Sequence, residues 1–279
     1  MSSFPKQVSL HGQRAYITPD NELVAQKSHV SGGERSIGRQ GGNVVIPGAP
    51  GVVAHFHDFL GDLIPDELQY FEGDTGHSAA IAVATNGLFR MTTSTTAAKT
   101  PAAVLGVNEG IKANWKANQG ALRMSARLKM SAKNGGQNIF VGFTDTGGTE
   151  MPFHDTGAAT IVSTASNAVG WLYGGAGATA NVWTGIGVKA NTDKTPVTGD
   201  VPVVNKFDVL EVRIGDTGSD GSGDVAYFYQ NGILKGSITS PVTTTTALYP
   251  VIAAFSKDTG GWFVDVDYFN CSANRDTGA

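Results

Sequence analysis

Between Phe207 and Cys271 the chain alternates apolar and polar residues, breaks at Gly and Asp clusters, and shows no apolar face of helical length. A period of two puts successive side chains on opposite faces of an extended strand, so such a run can be half-buried β-structure but not amphipathic helix. Four strands are predicted: Phe207 to Ile214, Val225 to Gln230, Tyr249 to Phe255 and Trp262 to Phe269. Between the second and third, Asn231-Gly232 is a strong hairpin signal because both residues accept positive φ, and Ile233 to Ile238 reads as the return strand. This grammar is that of an antiparallel β-sandwich.

The same grammar runs upstream. In Leu122, Met124, Ala126, Leu128 and Met130 every second residue is apolar, with Arg123, Ser125, Arg127 and Lys129 between them, so one face is core and the other wet. Further strands are predicted at 79–84 and 88–93 around a second Asn-Gly pair at 86–87, and at 111–115, 138–143, 168–173 and 181–188. The sandwich is expected to start at His55 to Asp62, with a helical turn from Pro65 leading into a strand. About a dozen strands at such spacing predict an all-β fold of two packed antiparallel sheets with no parallel βαβ unit.

Residues 1–53 differ from the rest. Gly, Pro, Ser and isolated charges recur, and nothing there could close a core alone. They are expected to form an extended N-terminal arm with strand-like pieces at Gln7 to Leu10 and Arg14 to Thr18, docking on neighbouring subunits through Phe4, Leu10, Tyr16 and Ile17. A loose tail is the competing account. The sandwich is assigned 54–272 and a C-terminal tail 273–279.

Composition narrows the partners. Only 16 % of residues are charged, against roughly 25 % in an average domain, and the net charge is −4. That balance argues against nucleic acid. No apolar run approaches the ~20 residues of a bilayer span, so no membrane partner is expected. The single cysteine, Cys271, excludes an intramolecular disulfide and a Cys-based zinc cluster.

Leu122 to Met130 with Asn138 to Phe143, the strand-turn-strand Tyr227 to Ser237, and Tyr249 to Ala254 with Val264 to Phe269 together resemble the concanavalin A-like lectin/glucanase sandwich. Within that class, Phe56 to Asp62, Asn86 to Thr92 and Phe140 to Asp145 resemble virion proteins of tailed bacteriophages. The resemblance implies a head decoration (cement) or fiber protein located in the virion, with capsid or other virion subunits as partners and a homo-oligomeric state. The alternative it implies is a carbohydrate-binding, lectin-like module that adheres to host glycans.

Candidate chemistry is sparse. A retaining glucanase needs two carboxylates about 5.5 Å apart on one face, usually supplied in this class by Glu-x-Asp-x-x-Glu, and no such motif occurs. Asp265 and Asp267, like Asp208, Glu211 and Arg213, read as the outward polar side of strands. His55 and His57 share a side at chelating spacing, with His77 or His154 as further ligands, but polar alternation around a buried Phe56 is the rival account. The acidic loop 215–224 could offer Asp216, Ser219, Asp220 and Asp224 to calcium, yet lacks the EF-hand spacing. Trp171, Tyr173 and Trp183, beside the Gly-rich 174–180 segment, could form a sugar-stacking platform, and core packing would absorb the same rings. No nucleophile elbow, P-loop or dinucleotide fingerprint is present, so no enzyme, cofactor or metal is expected.

Overall fold

The computed structural model describes residues 6–10, 13–17, 23–25, 52–59, 68–72, 78–82, 87–93, 101–105, 115–132, 137–146, 151–155, 161–174, 181–215, 225–256 and 261–274. The chain divides into two compact units, Met1–Ile46 and Pro47–Ala279. The first holds a three-stranded antiparallel sheet, β1 (Lys6–Leu10), β2 (Gln13–Ile17) and β3 (Leu23–Ala25). The arm expected here therefore carries a sheet of its own. Leu10 pairs with Gln13, Tyr16 with Gln7 and Val24, and Ile17 with Lys6 and Leu23, while Phe4 lies outside the described residues.

The second unit stacks two antiparallel sheets. One contains β4 (Val52–His57), β6 (Ser78–Ala82), β7 (Leu88–Thr92), β9 (Leu122–Met130), β17 (Asp208–Gly215), β18 (Val225–Gln230), β19 (Ile233–Thr239) and β21 (Phe263–Asn274). Its order is β19-β18-β17-β9-β21-β7-β6, with β4 also on β21; we call it the polar sheet. The other contains β5 (Leu68–Glu72), β8 (Pro101–Leu105), β10 (Gln137–Thr144), β13 (Ala168–Gly174), β14 (Trp183–Lys189), β15 (Thr192–Asp193), β16 (Val197–Thr198) and β20 (Tyr249–Ser256). Its order is β15-β14-β13-β10-β20-β8-β5, with β16 on β14; we call it the apolar sheet. A short hairpin, β11 (Phe153–Asp155) and β12 (Ile161–Ser163), completes the strands.

The alternation of β9 does what its period requires. Leu122, Met124, Ala126, Leu128 and Met130 are buried between the sheets, and Arg123, Arg127 and Lys129 line the outer face. Opposite them Val141, Phe143, Val169, Trp171, Tyr173 and Trp183 fill the same core. In contrast, β10 and β13 are buried along their whole length. Their apolar runs are continuous because the apolar sheet is covered on both faces, the pattern of a doubly packed strand. On its outer side Phe140, Leu172, Ile186, Val251 and Ala253 pack with Met151, Phe153 and Ala165 in a second core.

Two glycines make that packing possible. Gly142 and Gly170 face each other across β10 and β13, and a Cβ on Gly142 would come within 2.3 Å of the Val169 carbonyl and 3.0 Å of the Phe140 ring. At the β18–β19 turn, Asn231 and Gly232 take φ of 52° and 80°, as the hairpin signal required. The turn at the second Asn-Gly pair lies outside the described residues but for Gly87, and the strands it joins pair up to Ala82 and Leu88.

Strand β4 begins at Val52 and β21 reaches Asn274, so both expected sandwich boundaries lie slightly inside the observed pairing. Of the strand expected at 111–115, only Trp115 is described, as an isolated bridge to Leu248. The helical turn expected from Pro65 lies outside the described residues, as do residues 275–279.

Candidate functional site

Among the described residues, charged side chains in ion pairs gather on the outer surface of the polar sheet. Across it runs a row of residues in register, Ala80 on β6, Arg90 on β7, Asp265 on β21 and Lys129 on β9. Arg90 Nε and Nη2 donate to Asp265 Oδ1 and Oδ2 at 2.6 and 2.8 Å, and Lys129 Nζ stands 3.5 Å from Oδ2. The Asp265 side chain is 0 % exposed, whereas those of Arg90 and Lys129 are 39 % and 23 % exposed. Asp265 thus lies on the outward side of its strand, as the alternation predicts, but its side chain is buried among the two cations. The bidentate hydrogen bond to Asp265 holds the Arg90 guanidinium above its already high ordinary pKa, against a smaller opposing effect of burial.

Around this row lies a depression of about 490 Å³, with Ser78, Ala80 and Ala82 on one side and Leu88, Arg90, Thr92, Lys129 and Asp265 completing it. The small side chains of β6 create the space, because a longer residue at Ala80 would occupy it.

Next to the depression the strand pattern is broken. Val266 pairs with Leu128 and Tyr268 with Arg127, so Asp267 is the extra residue of a β-bulge. The bulge re-aims Asp267, which accepts from Arg127 Nη1 at 2.6 Å. Farther along the same face Glu211, also buried, is clamped by Arg123 and by Arg213, whose Nε lies 2.5 Å from Oε1. The Arg213 guanidinium is likewise held up, first by its hydrogen bond to Glu211.

Aromatic rings support the cations. The Arg90 guanidinium carbon lies 3.8 Å from the Phe263 ring centroid, Arg127 lies 4.1 Å from that of Phe207, and Arg213 lies 4.3 Å from that of Tyr229. Such contacts keep each head group flat against the sheet at a gain of about 0.5–1 kcal/mol where exposed.

The platform expected from Trp171, Tyr173 and Trp183 is not at the surface. All three are fully buried in the inter-sheet core. Their polar tips are used internally: Trp171 Nε1 donates to the Glu211 carbonyl at 3.0 Å, Trp183 Nε1 to Asp208 Oδ2 at 3.1 Å, and Tyr173 Oη pairs with Asn181 Oδ1 at 3.1 Å. The rings bridge the two sheets and offer no face to a sugar. Burial pushes the Tyr173 phenol up to about 12 and the Cys271 thiol well above its ordinary value.

The histidine pair is also reversed from expectation. Phe56 is 52 % exposed and stacks on Tyr268, while His55 and His57 turn inward onto Trp115, Phe59 and Phe269. Among the described residues no group of three or more His, Cys, Asp or Glu comes together as a metal site. His77 and the acidic positions Asp216, Ser219, Asp220 and Asp224 lie outside the described residues, and the His154 side chain is not described.

No family model and no curated protein matches this sequence. Solved structures do. A protein of unknown function from Shewanella oneidensis MR-1 aligns over 81 % of this chain and 88 % of its own at 16 % identity, with a TM-score of 0.52. Peanut lectin aligns over 80 % and 97 % at 11 % identity, with a TM-score of 0.52. The fold is the concanavalin A-like lectin/glucanase sandwich. The carbohydrate recognition domain of Emp47p also aligns, over 79 % of this chain and 94 % of its own at 10 % identity, with a TM-score of 0.52. At these identities the likeness is one of fold. Sequence reasoning identified the sandwich and missed the ionic row, because its partners lie 136 and 175 positions apart in the chain.

Proposed function

We propose that this protein is a non-catalytic carbohydrate-binding module whose ligand surface is the outer face of the polar sheet. One observation carries the reading: the depression on that face is walled by hydrogen-bonding groups of Ser78, Arg90, Thr92 and Lys129, while small residues of β6 leave room for a ligand. Its volume falls within the roughly 300–1,000 Å³ of small-ligand sites. Lectin-like neighbours support the class of ligand, since peanut lectin and the Emp47p domain are named for carbohydrate recognition.

Hydrolysis is disfavoured by the state of the acids. A glycosidase needs carboxyl groups aimed at a substrate oxygen and an anomeric carbon. The buried carboxylates Asp265 and Glu211 instead spend their oxygens on guanidinium donors.

The test is a glycan array with the full chain and with Ala80→Trp, which fills the depression from an exposed position. Binding by the parent and its loss in the variant are expected. Undiminished binding by Ala80→Trp would refute this location.

The separate N-terminal unit favours an extension of this reading, in which Met1–Ile46 fixes the module to a larger assembly such as a phage head or fiber. Removing residues 1–46 should leave a folded sandwich that binds glycan but no longer enters particles. Particle incorporation without those residues would refute the extension.

A further inference from the structure

Among the described residues, the charge of the polar face is opposite to that of the chain. The whole protein carries −4, yet the described strands of this face set Arg90, Arg123, Arg127, Lys129 and Arg213 against Asp265, Asp267 and Glu211. Arg127 and Asp267 balance each other, so the excess sits in two groups of one carboxylate between two cations. In the row beside the depression, Asp265 takes a bidentate hydrogen bond from Arg90 and an ion pair from Lys129. One buried carboxylate neutralises only one of these two cations, so the row keeps a net positive charge beside the depression.

We infer, resting on the carbohydrate-binding reading above, that the depression takes an acidic saccharide whose anionic group lies between Arg90 and Lys129. The anion would be the missing counter-charge of the row. Asp265 engages two of the five N–H donors of Arg90, which leaves donors for a second planar or tetrahedral oxyanion. Phe263 stands 3.8 Å from the guanidinium carbon and limits the motion of the head group, which lowers the rotamer freedom lost on binding. A uronate carboxylate and a sulfate ester share this chemistry. A neutral sugar would meet the same hydroxyl partners but would leave the charge excess uncompensated.

The experiment titrates the full chain with three oligosaccharide probes, one bearing uronic acids, one bearing sulfate esters and one neutral, at low and high salt. Binding to an acidic probe, weakened by salt, is expected, and the probe preferred identifies the anion as carboxylate or sulfate. Lys129→Gln preserves the Arg90–Asp265 pair and hence the fold, and it should weaken acidic binding by about tenfold, the worth of one charged hydrogen bond. Lys129→Arg should restore most of it. Preference for the neutral probe, or equal acidic binding by Lys129→Gln, would overturn this inference and leave the carbohydrate-binding reading intact. Failure of all three probes, together with an empty glycan array, would overturn both.

Discussion

The two sheets of the sandwich treat their outer faces in opposite ways. On the apolar sheet Phe140, Leu172 and Ile186 are sealed under Met151, Phe153 and Ala165, so β10 and β13 have no wet side. On the polar sheet the equivalent surface is a lattice of guanidinium, ammonium and carboxylate groups over aromatic rings, and it includes the depression beside Arg90. A sandwich needs only its inner faces for a core. Covering one outer face converts it to stability, and the uncovered face is where recognition can reside.

The sharpest way to break this contrast is to empty the sealed face. Phe140 is fully buried with its ring centroid 5.8 Å from that of Phe153, and Phe140→Ala should lower stability by about 3–5 kcal/mol in urea unfolding. A loss below about 1 kcal/mol would mean that the second core is not tightly packed. Gly142→Ala tests the same face from the other direction. Its methyl would meet backbone atoms of Val169 and Gly170, and about 1–3 kcal/mol should be lost.

The inter-sheet core responds to pH rather than to salt. Tyr173 has a folded-state pKa of about 12, above the ordinary 10.0, so the native state holds its proton more tightly than the unfolded chain does. That contribution is fully present below pH 10 and is lost as pH rises toward 12. Unfolding in urea at pH 8 and 11.5 should show a decline of roughly 2 kcal/mol that Tyr173→Phe abolishes.

Substitutions on the polar face should cost less. Asp265→Ala leaves Arg90 and Lys129 facing each other, but both are partly solvated, so a loss of about 1–2 kcal/mol is expected after allowance for screening. Arg127→Gln removes a half-exposed pair with Asp267 and should change stability by less than about 1 kcal/mol. Equal sensitivity of the two faces would erase the distinction drawn between them.

How much of this was legible in the sequence follows from the range of each interaction. The period of β9, the ends of β18 and the Asn231-Gly232 turn depend on neighbours in the chain, and they were readable. The turn between β14 and β15 was not, because one of its two left-handed residues is Ala190, with φ of 47°, and alanine carries no turn signal. The short β8 strand lacks β-branched alternation and exists through its pairing with β20 and β5. Burial of Trp171, Tyr173 and Trp183 required knowing that the facing sheet stands over them, since an aromatic triplet reads the same in a core or a sugar platform. The inward turn of His55 and His57 has the same origin: register on β21 puts Phe56 outside, and hydropathy alone argues the reverse.

Strand β21 lies along β9 and divides its other edge between β7, on Phe263–Val266, and β4, on Phe269–Asn274. The first strand of the sandwich therefore closes on the last, with Val52 opposite Asn274. Along the chain β4 and β21 lie more than two hundred residues apart, so β4 emerges from the ribosome with no edge to join, and β7 with only that of β6, until β21 has been made. Loop closure over such a distance makes folding slow relative to local hairpins such as β18–β19. In the cell, the polar sheet is thus completed when β21 enters between β9 and the β6–β7 hairpin, and the edges that receive it must stay soluble until then.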